Sequence, residues 1–600
     1  DYQADRRRAA PLVAALVRAV EQYRRTLLEA KLAEKVLDYA DLEHMTLELL
    51  LTPEHERTSL CRTVSARYSA VLVDEYQDTN ALQDAIYFAL AAPDASNLFF
   101  VGDIKQSIYR FRRADPSVFV GKQTAWQPYP ADAPVPYPEP ATIALDANFR
   151  SAPGVIEGIN YLFETFFSEG LGGVQYGDGQ RLVVGRKDSD YRGMCEIDVI
   201  DGADVDGDAA AIARRIAEMV ETGFAVRGKD GVRPCKYDDF CILLRGRKGF
   251  AAYEGVLRTA GIPVFADSAT DLLDEPHIRP FAALLRVIDN PAQDIPLAAV
   301  LLSPMFPYTA DDLVALRRAR PTGSLYGAVL YSEPQRFALF TDALTEYRRL
   351  ARTLPVDELI EELLARTGYL AAVGALPDGP RCREDLLSFT AWAAGAGRAG
   401  LPSLIRAMDA AAANGGLSQS AGGQTRPGCV SIMTVHRSKG LEFPVVILAD
   451  TARRFNLRDT SNPVLFHPSL GLGMNLRADG DGGLYSTVPH RAVRMAQRSE
   501  AVSEEMRILY VALTRARDKL IVTAPLQNPE KTLSALATTL AGTGGAEPYT
   551  LSQALSFSEW LCTAALLHPD CEELRKYAGG ALLPVYAARG HMRARVVPAQ

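Results

Sequence analysis

Two adjacent carboxylates, Asp74 and Glu75, directly follow the short apolar run Val71–Val73. An apolar run that ends abruptly in acidic residues is typical of a buried parallel strand that delivers side chains to the carboxyl edge of a sheet. Paired carboxylates at such a position are costly unless a cation lies beside them, and in nucleotide hydrolases that cation is Mg²⁺. One carboxylate would hold the ion, and the next would orient or deprotonate the attacking water. The alternative is a strand that ends in a solvated acidic turn.

A second stretch, residues 97–113, places aromatic rings among arginines after another short apolar run that ends in Gly-Asp. If this stretch is extended, Tyr109 and Phe111 point to one side and are flanked by Arg110 and Arg112. Aromatic rings interleaved with arginines suit stacking on nucleic-acid bases together with neutralisation of the phosphate backbone. The alternative is two buried aromatic residues with solvated arginines.

Single polar residues stand at the ends of other short elements. Gln106 can donate to a phosphate oxygen and accept from a water, which suits a sensor of a γ-phosphate. Arg150 follows a short strand pattern, and His436 lies in a loop between two predicted strands. Taken alone, such an arginine is normally a surface residue and such a histidine is normally structural. Their interest depends on the motifs around them.

The elements that must position these residues can be predicted from hydrophobic periodicity. Asn80, with Gln83 three residues on, predicts a helix N-cap directly after the carboxylates. The pattern from about 275 to 425 is mostly helical, and residues 414–428 are predicted to be its exit linker. Helices are predicted at 6–37 (packed on the surface), 39–50, 211–219, 280–287 and 356–364, and strands at 97–101, 240–245, 430–435 and 444–449.

Length and composition set limits on the class of protein. Six hundred residues are too many for one core, so three or four domains are expected. A net charge of −8 argues against a generally basic nucleic-acid coat but leaves a local basic groove open. The eight cysteines are scattered, and neither a signal peptide nor an apolar run of membrane-spanning length is present. A reducing cytoplasm is therefore the expected compartment.

At this point a family resemblance emerges from five segments that occur in a fixed order. They resemble motifs II to VI of UvrD/Rep-type superfamily 1 helicases: Asp-Glu-Tyr-Gln-Asp-Thr (74–79), Gly-Asp-Ile-Lys-Gln-Ser-Ile-Tyr-Arg-Phe-Arg (102–112), Ala-Asn-Phe-Arg-Ser (147–151), His-Arg-Ser-Lys-Gly-Leu-Glu-Phe (436–443) and residues 504–517. Residues 105–111 and 287–297 resemble in particular the AddA subunits of bacterial AddAB helicase–nucleases.

The resemblance implies an α/β fold with two RecA-like, P-loop NTPase-type domains and a large helical insertion in the second. The implied domains are 1–65, the end of an insertion in the first RecA-like domain; 66–145, the C-terminal part of that domain; 146–274, the first part of the second; 275–427, the helical insertion; 428–530, the second part of the second domain; and 531–600, a helical linker toward a nuclease.

The resemblance also implies ATP and Mg²⁺, single-stranded and duplex-end DNA, an AddB-type partner subunit, and a role in double-strand-break repair by a helicase that is also an exonuclease. The implied residues are Asp74 and Glu75 at Mg²⁺, Glu75 also as the base, Gln106, Arg150 and Arg515 at the γ-phosphate, Glu442 at the ribose, and Tyr109, Phe111, Arg112 and His436 at DNA.

One expected motif is missing from the chain. Gly-Lys occurs at 121–122 and 228–229, and neither pair is followed by Ser or Thr, so no Gly-x-x-x-x-Gly-Lys-[Ser/Thr] P-loop is present. We therefore expect a fragment with the P-loop upstream and the nuclease downstream, unable by itself to hydrolyse ATP or to bind it tightly. The alternatives are a non-hydrolysing DNA-binding scaffold and a stand-alone UvrD-like repair helicase, and residues 289–297 argue against the second.

Overall fold

The computed structural model describes residues 2–130, 139–177, 179–185, 193–228, 231–266, 272–376, 379–413, 427–478, 482–579 and 581–599. The chain forms two compact units. Unit 1 comprises Asp1–Asp267 and Thr425–Gln600, and unit 2 comprises Ser268–Gln424. Among the described residues, no helix combines the length and the apolar character needed to cross a lipid bilayer.

Helices account for much of both units. In chain order they are α1 (Tyr2–Glu34), α2 (Tyr39–Leu50), α3 (Ser59–Ser65), α4 (Ala81–Leu90), α5 (Pro116–Ala125), α6 (Pro153–Phe166), α7 (Val205–Glu221), α8 (Phe250–Thr259), α9 (Arg279–Asp289), α10 (Asp294–Leu301), α11 (Ala310–Ala319), α12 (Leu325–Tyr331), α13 (Ala338–Thr353), α14 (Val356–Thr367), α15 (Tyr369–Gly374), α16 (Gly379–Ala396), α17 (Leu401–Ala413), α18 (Val488–Leu513), α19 (Pro529–Thr543), α20 (Pro548–Gln553), α21 (Phe557–Leu567) and α22 (Glu572–Arg575).

The strands lie in unit 1. In chain order they are β1 (Val71–Val73), β2 (Leu98–Phe100), β3 (Gln127–Pro128), β4 (Ala141–Thr142), β5 (Ala147–Asn148), β6 (Val183–Val184), β7 (Met194–Asp201), β8 (Ala225–Gly228), β9 (Gly231–Pro234), β10 (Phe240–Leu244), β11 (Val264–Ala266), β12 (Val430–Thr434), β13 (Phe443–Leu448), β14 (Val464–His467), β15 (Gly471–Arg477), β16 (Leu484–Ser486), β17 (Ala516–Leu526) and β18 (Met592–Pro598).

Strands β1 and β2 form a small parallel sheet, with Val71 opposite Leu98. Because they are parallel, both carboxyl ends meet at one edge, where β1 leads into Asp74 and β2 into Asp103. The predicted N-cap is confirmed: the Asn80 side chain accepts from the backbone of the third helical residue, whose side chain bonds back to Asn80 N–H.

The main sheet of unit 1 has seven strands in the order β11-β12-β10-β13-β17-β7-β18, and every neighbouring pair is parallel. Strands β10 and β13 are apolar on both faces, as parallel strands covered by helices must be. In β10, Cys241 and Leu243 pack into a core with α6, α18 and α21. Phe240, Ile242 and Leu244 pack into a second core with α7 and α8. The fold of unit 1 is therefore a parallel sheet with helices on both faces.

In unit 2 the regular elements among the described residues are all helical and include α9 to α17, as predicted for 275–425. The stretches predicted as helices at 280–287 and 356–364 lie within α9 and α14. Its core is built from large apolar side chains such as Phe281, Phe340 and Phe389. The predicted linker lies almost wholly outside the described residues.

Two stretches differ from their predictions. The helix predicted at 6–37 forms as α1 and contacts β16, where the Tyr485 hydroxyl donates to Asp5 Oδ1 over 2.6 Å, but none of its residues is buried. Leu12 and Tyr23 are 54% and 66% exposed. Periodicity places apolar side chains on one helix face but does not supply the surface that covers that face. The stretch 531–600, predicted to be helical, also contains β18, which joins the main sheet beside β7.

Candidate active site

The two carboxylates after β1 are both exposed. Asp74 Oδ1 accepts a hydrogen bond from Glu75 N over 2.8 Å. Glu75 has a φ of 52°, in the left-handed region, and precedes a 3₁₀ turn at Tyr76–Asp78. A non-glycine residue in that region costs free energy, and such residues cluster at functional sites.

Gln77 ties the ends of β1 and β2 together. Its Nε2 donates to Glu75 Oε2 over 2.5 Å, and its Oε1 accepts from Asp103 N over 2.9 Å. A Cβ at position 102 would lie 2.5 Å from Gln77 Oε1, so Gly102 is the residue that permits this contact. Gln77 was not among the predicted site residues, although it lies within the first motif.

Lys439 is a second residue that the sequence analysis missed. Its side chain is 6% exposed, and its Nζ lies 3.3 Å from Glu75 Oε2. The same ammonium donates to Asp78 Oδ2 and, over 2.8 Å, to the Gln106 carbonyl oxygen. It also lies 5.0 Å from the centroid of the Tyr109 ring. Its position three residues after His436, within a quoted motif, was the available signal.

Asp78 is held by Lys439 but not fully satisfied. Its Oδ1 is buried and has no hydrogen-bond partner. Burial raises the pKa of the Asp78 carboxyl above its ordinary value, although the hydrogen bond and charge of Lys439 act in the opposite direction. Burial therefore outweighs the pairing with Lys439 in setting the pKa of this carboxyl.

The segment that carries Gln106 is not extended, so the extended geometry considered for the aromatic stretch was wrong. It forms two 3₁₀ turns, Ile104–Gln106 and Arg110–Arg112. Asp103 caps the first turn, because its Oδ1 accepts from Lys105 N over 3.1 Å. Gln106 Nε2 donates to Asp103 Oδ2 over 3.0 Å, so its side chain lies at the end of β2.

The predicted DNA-binding residues nevertheless come together, and we call Tyr109, Phe111, Arg112 and His436 the aromatic cluster. The Tyr109 and Phe111 rings lie 5.7 Å apart, and they lie 6.2 Å and 5.6 Å from the His436 ring. The Arg112 guanidinium lies 5.2 Å and 5.7 Å from the two aromatic centroids. Phe111 is 67% exposed, which argues against the buried-core alternative for that residue.

His436 is neutral in this surrounding. Burial, followed by the charge of Arg245, lowers the pKa of His436 to about 4. The charges of Lys439 and Arg112 act in the same direction. A neutral ring can stack on a base without the cost of removing an ion from water.

Arg150, Glu442 and Arg515 form a third group. Arg150 Nε donates to Glu442 Oε2 over 2.6 Å. Arg515 is 2% exposed and donates to the carbonyl oxygens of Val511 and Leu441 over 2.9 Å and 3.2 Å. Burial lowers the pKa of Arg515 to about 10, the charge of Arg150 adds to this, and the charges of Glu75 and Asp103 oppose it. Arg515 therefore lies close enough to Arg150, Glu75 and Asp103 for their charges to act on it.

Helix α18 connects the segment after β2 to the main sheet. Arg507 Nε donates to the Ser107 carbonyl oxygen over 2.8 Å. On the other side, Glu505 accepts from Arg245 Nε and Nη2 over 2.7 Å and 2.6 Å. Such bidentate pairs fix geometry as well as charge.

The chemistry of the exposed carboxylates fits a hard cation that takes part of its coordination from a ligand. Within the described ranges, no group of three or more His, Cys, Asp or Glu side chains is arranged to hold a metal ion alone. Asp74 and Glu75 are two oxygen donors in an open position, and Mg²⁺ is commonly bound by one or two carboxylates together with substrate phosphates.

Comparison with known proteins gives consistent matches. The UvrD/REP helicase N-terminal domain matches residues 2–127, and the UvrD-like helicase C-terminal domain matches residues 143–326 and 409–527. AddA, an ATP-dependent helicase/nuclease subunit of Alkaliphilus oremlandii, is 32% identical over 609 residues, covering 96% of this chain and 49% of the relative. The protein of the same name from Oceanobacillus iheyensis is 32% identical over 618 residues, covering 95% and 49%. The chain thus spans about half the length of these curated relatives.

Proposed function

The chain belongs to the UvrD/REP helicase family, and on that premise we propose that it is the part of an ATP-driven DNA helicase that couples a nucleotide site to single-stranded DNA. The observation that carries the proposal is the position of Lys439. The Lys439 ammonium contacts Glu75, one of the two carboxylates after β1, and also lies against the Tyr109 ring of the aromatic cluster.

We propose that two of the parallel sheets of unit 1, the small sheet of β1 and β2 and the main sheet, belong to two RecA-like domains. The small sheet of β1 and β2 would be part of the first domain, and the main sheet would form the second. The two stretches that match the C-terminal domain are separated by residues 327–408, which lie within unit 2. This supports a helical insertion in the second domain.

In the nucleotide site, Asp74 and Glu75 would hold Mg²⁺, which when bound neutralises charge on phosphate oxygens. Glu75 would take the proton of the attacking water, because its carboxylate is open to solvent and fixed by Gln77. Gln106 would orient that water or contact the γ-phosphate.

Arg150, Arg515 and Glu442 would bind the triphosphate and the ribose of ATP. The Nε, Nη1 and Nη2 atoms of Arg515 donate to protein oxygens, which fixes the plane of the guanidinium. Its remaining two N–H groups are left to donate to a phosphate. Binding of ATP would exchange the Arg150–Glu442 ion pair for one contact from each residue to the nucleotide.

In the DNA site, the aromatic cluster would stack on bases, with Arg112 supplying positive charge beside the rings. Lys439 contacts Glu75 and Asp78 and lies against the Tyr109 ring at the same time, so it would transmit a change at Glu75 during hydrolysis to the DNA-binding residues. The relatives are named as subunits of an ATP-dependent helicase/nuclease. We therefore propose a repair complex with an AddB-type partner, acting at DNA ends.

The test is a phosphate-release assay with and without single-stranded DNA. The 600-residue chain, which lacks a P-loop, should show no turnover, because most phosphate contacts and the phosphate lysine come from that loop. A longer chain that also carries a P-loop segment should show DNA-stimulated turnover, and replacement of its P-loop lysine is the matched control.

Two results would contradict the proposal in different ways. Turnover by the 600-residue chain would reveal a phosphate site elsewhere. No phosphate release by a longer chain that does bind DNA would favour the non-hydrolysing scaffold.

A further inference from the structure

Arg110, which lies between the two aromatic residues of the cluster, is anchored at both its backbone and its side chain by one helix. Its backbone N–H donates to Glu504 Oε1 over 3.1 Å. Its Nη2 donates to Glu500 Oε2 over 2.5 Å. Glu500 and Glu504 are one helical turn apart on α18 and so face the same side. Residue 110 is therefore held against α18 at two points.

The second carboxylate oxygen of Glu500 is hydrogen-bonded to a histidine. His467 Nε2 lies 2.8 Å from Glu500 Oε1. His467 Nδ1 accepts from the backbone N–H groups of Ser469 and Leu470 over 3.2 Å and 3.3 Å. Since Nδ1 is used as an acceptor, the ring proton resides on Nε2 and is donated to Glu500. Both oxygens of Glu500 thus receive a donor.

The position of this carboxylate is unusual for a DNA-binding surface. Arg110 is 36% and Glu500 43% exposed, and a pair that exposed adds little to stability. A negative charge near the aromatic cluster would also repel a phosphate backbone. Neither stability nor attraction to DNA accounts for Glu500, whereas orientation of Arg110 does.

We propose that Glu500, supported by His467, is a positioning residue for DNA binding, because it holds Arg110 and thereby sets the Tyr109 and Phe111 rings on either side of it. The inference rests on the proposed function of the aromatic cluster. Its second support is the short 3₁₀ turn Arg110–Arg112, in which displacement of one residue moves its neighbours.

The experiment is a fluorescence-anisotropy titration of single-stranded DNA with the 600-residue chain and with Glu500→Gln. Simple electrostatics predicts tighter binding, because a negative charge is removed. Positioning predicts the opposite sign, and we expect binding weakened about threefold to tenfold. Glu29→Gln, an exposed glutamate on α1, is the matched control and should leave affinity unchanged.

A double-variant comparison separates positioning from general damage. In a Phe111→Ala background, Glu500→Gln should have a smaller effect, because one of the two rings it places is gone. A charge exchange, Arg110→Glu with Glu500→Arg, should bind better than Arg110→Glu alone. This pair of variants also serves if Glu500→Gln fails to fold.

The outcomes distinguish this inference from the proposed function. No binding by the unaltered chain contradicts the proposed function. Binding by the unaltered chain, with equal or tighter binding by Glu500→Gln, overturns the positioning role alone. An undiminished effect of Glu500→Gln in the Phe111→Ala background, or no rescue by the charge exchange, also overturns it.

Discussion

Glu196 in the main sheet and Glu75 beyond the small sheet are both next to a buried lysine, but their surroundings differ. Glu196 is 3% exposed, and its two oxygens lie 2.6 Å from Lys519 Nζ and 2.8 Å from Arg215 Nη2. Glu75 is 49% exposed and lies 3.3 Å from Lys439 Nζ. One carboxylate is neutralised on both sides by the protein, and the other is open on one side.

We interpret the first arrangement as one that stabilises the fold and the second as one that leaves a carboxylate available to the proposed ligand. Burial acts to raise the pKa of Glu196, and the charges of Lys519 and Arg215 outweigh it and lower the pKa below its ordinary value. At the other site Lys439 is shared between several acceptors, and burial raises the pKa of Asp78. A structural carboxylate is fully paired because a buried charge without partners is costly. A carboxylate that binds a ligand must keep at least one oxygen lone pair free for it.

The largest expected effect is at the open carboxylate. In a longer chain that hydrolyses ATP, Glu75→Gln should lower turnover by about 10²–10⁴-fold, because the amide cannot accept the proton of the attacking water. Nucleotide binding should remain. Phosphate release is the measurement, and Glu54→Gln, on an exposed loop, is the control. Turnover at the unaltered rate would remove Glu75 from the role of base.

Loss of a partner of the buried Glu196 should lower the stability of the fold. Lys519→Met leaves Glu196 buried with one cation fewer and should cost about 3–5 kcal/mol of unfolding free energy. Urea denaturation measures it, with the exposed Lys531→Met as control. A loss below about 1 kcal/mol would contradict the view that this pair holds the sheet, since exposed pairs contribute about that much.

The aromatic cluster is partly exposed, as Glu75 is, so its variants should change the affinity for DNA more than the stability of the fold. Tyr109→Ala and Phe111→Ala should each weaken binding of single-stranded DNA by about 1–3 kcal/mol, the usual contribution of a base–aromatic stack. Fluorescence anisotropy measures the affinity, and Tyr549→Ala, 77% exposed elsewhere in unit 1, is the control. Unchanged affinity in both variants, with the fold intact, would return the two rings to a structural role.

Asp450 is intermediate between the buried Glu196 and the exposed Glu75, because it is partly buried and lies near Asp208. Burial and the charge of Asp208 raise its pKa from 3.8 to about 6, although Arg453 opposes the shift. Because the folded chain holds this proton more tightly than the unfolded chain, stability should fall as the pH rises from about 4 to about 6.

Asp450→Asn should therefore stabilise the protein at pH 7 by about 1–2 kcal/mol, a value reduced for partial solvation, and change little at pH 3.5. Asparagine also tolerates the φ of 55° at this position. Urea denaturation at the two pH values tests this, with the exposed Asp459→Asn as control. An equal gain at both would exclude titration as the cause.

The sequence by itself determined the local elements and the composition of the site. Apolar runs predicted β1, β10, β12 and β13 to within about a residue, and Asn80 with Gln83 predicted the start of α4. These are short-range features, because strand alternation, helix periodicity and capping depend on neighbours within a few residues. The ordered motifs also indicated which residues should meet.

Only the tertiary structure decided how those residues are used. Lys439 reaches Asp78 across 361 positions of the chain, and Arg110 reaches Glu500 across 390. The partnership of Arg150 with Glu442 and the exposure of α1 likewise depend on which surfaces pack together. No local pattern encodes such contacts, because the path of the chain between two segments sets their distance, and burial then sets the charge that each side chain can carry.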